Sequence, residues 1–437
     1  MKRFFTKALV FTAIIFIAVA CGTNTNDEMK PAKVELKQEE GNYRIYLDGE
    51  PFYMKGAGFE GRDPSSVARH GGNTIRTWRT GDRFLTGKEK LDAAHENGLM
   101  VVMGLDVARE RHGFDYNDRE AVKEQLEQIR EKVLKHKDHP ALLAWGIGNE
   151  LNLRYTNKKV WDAVNEISEM IKEVDPNHLT STMLAGANPE VVNAVADQCP
   201  SLDFISFQLY GSIHKLPGYL EASNYDGAYA LTEWGVTGHW EVPKTEWNRP
   251  IEENTHQKAL NYKERYQNYI AADSARCIGS FVFLWGQKQE RTPTWYGMFL
   301  ETGEKTESVD IMQYMWTGTW PENRAPQMQE LHIDGKTASQ NVYLESAEKF
   351  GATAKATDPE DDPLTYRWEI LPEVPRDQQS DGGDYEPRPE TIFSETTKEN
   401  SCVIRAPQKP GEYRLFVYVL DGKNNAATAN IPFYVNE

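Results

Sequence analysis

The run Ala141-Leu142-Leu143-Ala144-Trp145-Gly146-Ile147-Gly148 is apolar without alternation and stops abruptly at Asn149-Glu150. It is too short for a helix and reads as a strand buried on both faces of a parallel sheet. The pattern recurs from Gly227 to Gly235, where a second apolar run ends in Thr232-Glu233-Trp234. Six more such runs are present: Pro51 to Lys55 continuing to Glu60, Asn73 to Trp78, Leu99 to Asp106, Leu179 to Leu184, Asp203 to Tyr210 and Ile278 to Trp285. Between them, helical spacing of apolar positions predicts helices near residues 87–97, 118–137, 157–174, 189–195, 255–273 and 308–315. In the third of these, Val160, Ala163, Val164, Ile167 and Ile171 share one face suited to packing on a sheet. Asp48-Gly49 tolerates the positive φ of a tight turn and predicts a hairpin between Tyr43–Leu47 and Pro51–Lys55.

Eight strands alternating with helices predict a (β/α)8 TIM barrel over residues 41–316 rather than an open doubly wound sheet. The texture then changes. Residues 317–326 form a polar, proline-containing linker. Residues 327–437 carry short β runs with turn signals: Lys349 to Thr357, Leu364 to Ile370, Ser401 to Ile404, Glu412 to Leu420 and Ala426 to Val435. These predict a C-terminal all-β, immunoglobulin-like sandwich with Trp368 in its core and a flexible polar insertion from Pro372 to Lys398. Nothing in this second domain offers paired carboxylates, so it is expected to be dispensable for chemistry.

A length of 437 residues suits a barrel of about 250 residues plus a smaller module. The formal charge of −17 leaves no basic cluster to hold phosphate, which disfavours nucleic acid as a partner. No glycine-rich phosphate loop follows any strand, so nucleotide binding has no support. Lys2, Arg3 and Lys7 precede an apolar run from Ala8 to Ala20 and then Cys21. This reads as a signal peptide over residues 1–20 followed by a lipidated Cys21 and a tether over residues 21–40. The lipobox is imperfect, with Ala18 where leucine is commoner. An outer-membrane, cell-surface lipoprotein, monomeric and anchored by its lipid, is expected. Cys199, Cys277 and Cys402 show no metal-ligand spacing and are expected as free buried thiols, with a Cys199–Cys277 bridge as the alternative. Asp358-Pro359-Glu360-Asp361-Asp362 reads as a solvated acidic turn, with calcium binding as its alternative. No metal or organic cofactor is expected.

Barrel sites lie at the C-terminal ends of the strands, where both Glu150 and Glu233 fall. Two carboxyl groups facing each other across a glycosidic bond are what a retaining glycosidase needs, one as acid/base and one as nucleophile. In this order, Asn149-Glu150, Thr232-Glu233-Trp234, Arg76, Tyr210 and Trp285 resemble the motifs of glycoside hydrolase clan A. The resemblance covers roughly Tyr43 to Trp316. With the lipoprotein signal and the C-terminal sandwich, the chain looks most like family 158, endo-β-1,3-glucanases of Bacteroidetes.

The resemblance implies Glu150 as acid/base and Glu233 as nucleophile. It implies that Asn149 holds a sugar hydroxyl, that Arg76 and Tyr210 steady the nucleophile, and that Trp285 forms the floor of the cleaved sugar's subsite. Trp234, Glu60 and Gln208 complete the expected substrate-binding set. One departure is Gln208, two residues before Tyr210, where many clan members carry histidine; an amide cannot protonate. Trp234, Trp240, Trp247 and Trp295 are expected to offer stacking surfaces along an extended β-glucan chain. The alternatives are a β-mannanase or β-galactosidase of the same clan, exo action, or a non-catalytic glycan-binding protein.

Overall fold

The computed structural model describes residues 30–380 and 385–436. The chain opens with a three-stranded antiparallel sheet, β1 (Val34–Glu39), β2 (Asn42–Leu47) and β3 (Glu50–Phe52). The predicted hairpin is its second half, with Asp48 and Gly49 at positive φ. β1 occupies residues that the sequence reading placed in the tether; Cys21 and the signal segment lie outside the described residues.

The barrel strands follow as β4 (Met54–Gly58), β5 (Thr74–Arg76), β6 (Met100–Leu105), β7 (Leu142–Asn149), β8 (Leu179–Ala185), β9 (Phe204–Gln208), β10 (Tyr229–Gly235) and β11 (Cys277–Phe283). They close in the order β10-β11-β4-β5-β6-β7-β8-β9, every pair parallel. The non-alternating runs are explained by burial on both faces: every residue of β7, β10 and β11 is buried. Between and after the strands lie α1 (Ser65–Arg69), α2 (Gly87–Glu96), α3 (Arg119–His136), α4 (Lys159–Val174), α5 (Pro189–Gln198), α6 (Leu216–Glu221), α7 (Thr255–Arg265) and α8 (Glu307–Thr317). Thr86 with Glu89 and Asn254 with Gln257 form capping boxes that start α2 and α7. The helix expected to reach Asp273 leaves α-geometry after Arg265 for one π turn, Tyr266–Ile270. α1 and α6, too short to show periodicity, left no readable pattern.

The N-terminal sheet plugs the bottom of the barrel. Val34 and Ile45 join Met54, Leu143, Phe204 and Phe281 in one apolar cluster. The Val34 amide bonds the Asn177 carbonyl ahead of β8, and the Tyr43 amide bonds the Ala275 carbonyl ahead of β11. The N-terminal end is therefore closed, and ligand access is left to the C-terminal ends.

Beyond α8 stand two sheets. β12 (Gln327–Ile333), β14 (Lys349–Thr357) and β17 (Ser401–Arg405) form one; β13 (Val342–Leu344), β15 (Thr365–Pro372), β16 (Phe393–Thr397), β18 (Gly411–Leu420) and β19 (Ala426–Val435) form the other. Trp368 is fully buried between them and donates to the Thr397 hydroxyl at 3.0 Å. The insertion expected from Pro372 to Lys398 is not wholly loose: it contains β16 and the buried Glu386.

β18 and β19 are buried nearly throughout, because the five-stranded sheet also docks on the barrel. Phe416 and Tyr418 on its outer face pack with Leu300 of the barrel. Beneath them lies a buried polar seam. Glu252 receives Lys258, Thr292, Thr294 and Asn430, while Arg414 donates to the Pro250 carbonyl at 2.9 Å. Burial pushes the Glu252 carboxyl up, but Lys258 and Arg414 outweigh it and hold the group below the usual range. Such groups tolerate burial only while all partners remain. The linker is docked too: Ala325 is buried and its amide bonds Asp310 at 2.6 Å.

Cys199, Cys277 and Cys402 are free and buried. Carboxylates of Asp358, Asp362 and Asp421 converge, but Lys423 bonds Asp362 at 2.7 Å and backbone amides cap Asp358 and Asp421.

Candidate active site

At the mouth of the barrel, Glu233 of β10 is 5 % exposed and faces four donors. Its Oε1 accepts from Arg76 Nη1 at 2.7 Å, Trp78 Nε1 at 2.7 Å and Gln208 Nε2 at 3.0 Å; its Oε2 accepts from the Tyr210 hydroxyl at 2.9 Å. Four donors, one of them a guanidinium, fix the orientation of this carboxyl group. Burial first, and the charge of Glu233 second, push the Tyr210 phenol well above its ordinary value, so it remains a donor.

Asn149, the last residue of β7, is locked by the same donors. Its Oδ1 accepts from Arg76 Nη2 at 2.5 Å and Gln208 Nε2 at 2.7 Å. Since the amide oxygen is thus engaged, the amide nitrogen is the end that can donate to a ligand. Glu150 follows at φ +52°, just after Gly148 at φ +73°. The Glu150 amide bonds the Met183 carbonyl at 2.9 Å, and Arg109 and Arg111 hold the carbonyls of Asn149 and Glu150 at 3.2 and 2.6 Å. These contacts maintain a backbone turn that non-glycine residues seldom adopt.

Burial first, and the charge of Glu233 second, push the Glu150 carboxyl up to about 7, although Arg111 and Arg76 oppose them. The site therefore holds one carboxyl group clamped by four donors and another that is largely protonated below neutrality. Such unlike surroundings for two neighbouring carboxyl groups are the pattern in which one can serve as acid and the other as nucleophile.

Arg76, Asn149, Glu150, Gln208, Tyr210 and Glu233 are thus assembled in one place. Three other expected site residues are not. Trp234 is fully buried against Tyr262 and Tyr266 on the helix side of β10, because its neighbour Glu233 takes the inward face. Trp285 lies beyond the end of β11, where strand alternation no longer directs it. It is 2 % exposed, packed between His70, Phe299 and Trp316, and cannot form a sugar floor. Glu60 stands exposed past β4, outside the set around the two glutamates.

Phe283, rather than Trp285, lies beside the donors of Glu233. It ends β11 and makes edge contacts with Trp78, Tyr210 and Tyr296. Trp78 was legible in principle: it stands two residues after Arg76, hence on the same side of an extended chain. Gly58 and Gly104 give it room, since a Cβ at either would come within 3 Å of Trp78 atoms. Of the four tryptophans expected to line the cleft, Trp295 and Trp234 are buried and Trp247 packs on Tyr343 and Tyr434 of the sandwich. Only Trp240 is openly exposed among them, at 56 %, resting on Tyr210 and His239.

A polar group that the sequence did not suggest completes the rim. Glu290 is 3.4 Å from His239 and 2.5 Å from Lys288, whose ammonium lies 5.5 Å from the Phe283 ring centre. Burial opposes its charge, but His239 and Lys288 hold Glu290 down at about 2.

Residues 91–251 match the family described as glycosyl hydrolases family 2, TIM barrel domain. An Arabidopsis thaliana protein provisionally named mannan endo-1,4-beta-mannosidase 4 is 31 % identical over 142 residues, covering 30 % of this chain and 34 % of that protein. The chain thus spans about a third of the curated relative it matches. Bifidobacterium dentium beta-glucuronidase, complexed with coumarin-3-O-glucuronide, superposes with a TM-score of 0.52 at 16 % identity, over 66 % of this chain and 49 % of that one. A calcium-binding mutant of Bacteroides uniformis beta-glucuronidase 2 gives 0.50 at 12 % identity, over 92 % and 48 %. Likeness at such low identity shows the fold alone. The sequence matches, taken with two glutamates at the ends of the fourth and seventh strands, support a barrel of the glycoside hydrolase clan A type.

Proposed function

We propose that the protein is a retaining glycoside hydrolase, with Glu233 as nucleophile and Glu150 as acid/base. The observation that carries this is the contrast between them: Glu233 clamped by four donors, Glu150 raised to about 7. Oε1 of Glu233 is held by three donors and Oε2 by one, so Oε2 is the atom that attacks the anomeric carbon. Glu150 gives its proton to the departing glycosidic oxygen, and a glycosyl ester forms on Glu233. Glu150, now a carboxylate, then takes a proton from water, which displaces the ester and regenerates both groups. The Asn149 amide nitrogen donates to the hydroxyl beside the reacting carbon.

For substrate we propose internal bonds of β-1,3-glucan, on family resemblance. The tryptophan argument for an extended cleft falls away with Trp234 and Trp295 buried, leaving Trp240 as the exposed platform. The match to a protein named for mannan hydrolysis supports β-mannan as the second reading. Anchoring at the outer-membrane surface through lipidated Cys21 belongs to this proposal and fits capture of a polymer outside the cell.

Incubation with laminarin, mixed-linkage glucan, carboxymethyl-cellulose and mannan is expected to release mixed laminari-oligosaccharides early. Glucose alone from the outset would mean exo action, and attack on mannan without laminarin would replace the glucan reading. Binding to one of these polymers without release of any reducing sugar would favour a non-catalytic glycan-binding protein. Proton NMR of the first product is expected to show the β-anomer; the α-anomer would sink the retaining mechanism.

The pH profile follows from Glu150. It must be protonated to act as acid, so kcat/KM is expected to fall about tenfold per pH unit above a pKa near 7. In Glu233→Gln the second cause of the elevation is gone, and the pKa of Glu150, followed by NMR titration, should move down. An unchanged value would refute the proposed repulsion.

A further inference from the structure

The segment from Phe283 to Met298 is a tight excursion pinned at its base by Leu284–Tyr296 and Met298–Leu284 amide–carbonyl bonds. At its tip Glu290 and Thr292 exchange backbone hydrogen bonds, which forces the intervening Arg291 to φ +62°. An arginine there is disfavoured unless its surroundings hold it. The holding group comes from the other domain. Glu386, 2 % exposed, accepts from the Arg291 amide at 2.5 Å through Oε1 and from Arg291 Nη1 at 2.7 Å through Oε2. The Gln289 side-chain amide reaches Oε1 at 3.3 Å, the Ser380 amide reaches Oε2 at 3.0 Å, and Arg291 Nη1 also bonds the Ser380 carbonyl at 3.0 Å. Gln289 and Arg291 are therefore both held by one sandwich carboxylate.

Gln289 is flanked by Lys288 and Glu290, and Glu290 meets both Lys288 and His239 beside the glutamate pair. Lys288 lies by the ring of Phe283, and Phe283 contacts both Trp78 and Tyr210, the two aromatic donors to Glu233. Glu290 takes up one donor of Lys288, and the ammonium, 20 % exposed, has others to offer to sugar hydroxyls. We propose that Glu386 is a positioning residue of the cleft: from the C-terminal domain it sets the Lys288–Glu290–His239 wall where a bound sugar's hydroxyls are recognised. The sandwich is then part of the binding site, contrary to the expectation that it is dispensable. This rests on the hydrolase reading.

The test uses the full chain and the Glu386→Gln variant, which keeps shape and removes charge. KM for the preferred glycan is expected to rise about tenfold with kcat within threefold, because ground-state binding is what is lost. Lys288→Met should show the same rise, and the double variant should be no worse than the worse single one, as residues acting through one another are not additive. A purely structural role would lower activity only with the folded fraction, measured by circular dichroism, and would leave KM alone; that result overturns the proposal. Should Glu386→Gln not fold, Arg291→Gly removes the side-chain contact while easing the positive φ. A KM rise of about threefold or more supports the proposal, and wild-type KM refutes it. Should the wild type show no turnover, the hydrolase reading fails separately. Calorimetric affinity of wild type and Glu386→Gln for the polymer then decides the positioning role.

Discussion

Glu233→Ala is expected to lower turnover on the order of 10⁴-fold or more, as loss of a nucleophile does in covalent catalysis. The cavity left beside the anomeric carbon can admit azide, which needs no general base. Activity should return in part with azide on an activated aryl glycoside and yield a glycosyl azide of inverted configuration, identified by NMR. Absence of any azide product in a folded variant would remove Glu233 from the nucleophile's role. Glu150→Ala provides the complement: a substrate whose leaving group departs unaided should lose far less first-step rate than a glycan. The variants must be compared at equal folded fraction. Glu233→Ala leaves Arg76, 1 % exposed, without its carboxylate partner, and breaking a buried pair from one side costs about 3–5 kcal/mol.

Arg76→Ala is expected to have the second-largest effect, and for two reasons. Arg76 holds Glu233 Oε1, Asn149 Oδ1 and the Thr232 carbonyl, so its loss frees two site residues on different strands. It also strands a carboxylate that is 5 % exposed, with neutral donors only. A fall in kcat/KM of about 10²–10³ is expected from the lost charge stabilisation alone. A Tm drop of several degrees should accompany it. Arg76→Lys should recover little, because a point ammonium cannot span Glu233 and Asn149 as the planar fork does. Near-wild-type kinetics for Arg76→Lys would show that charge, not geometry, is the requirement.

Much of this site is legible along the chain. Asn149-Glu150 and Glu233 stand where long buried runs break into polarity, and Arg76 and Tyr210 sit in or just after further strands. The positions that misled, Trp234 and Trp285, did so for different reasons: Trp234 adjoins Glu233, and Trp285 lies two residues past the end of β11. A one-residue change in extended chain reverses the side-chain direction, and beyond the end of a strand the period no longer applies.

The sequence by itself determined the barrel, its closure, the order of its strands and the placing of both glutamates at their C-terminal ends. Those features depend on local periodicity, and a strand buried on both faces leaves an apolar run wherever it occurs. It also marked the second domain as β-rich. Only the tertiary structure decided that Trp78 and Gln208 join the donors of Glu233, that Phe283 rather than Trp285 lies beside them, and that Glu290 links Lys288 and His239. It alone placed Glu386 against Arg291, 95 residues away in sequence. The physical reason is common to all of these. A hydrogen bond between distant segments depends on the angle at which whole elements pack, and single polar residues in loops carry no period from which that angle can be read.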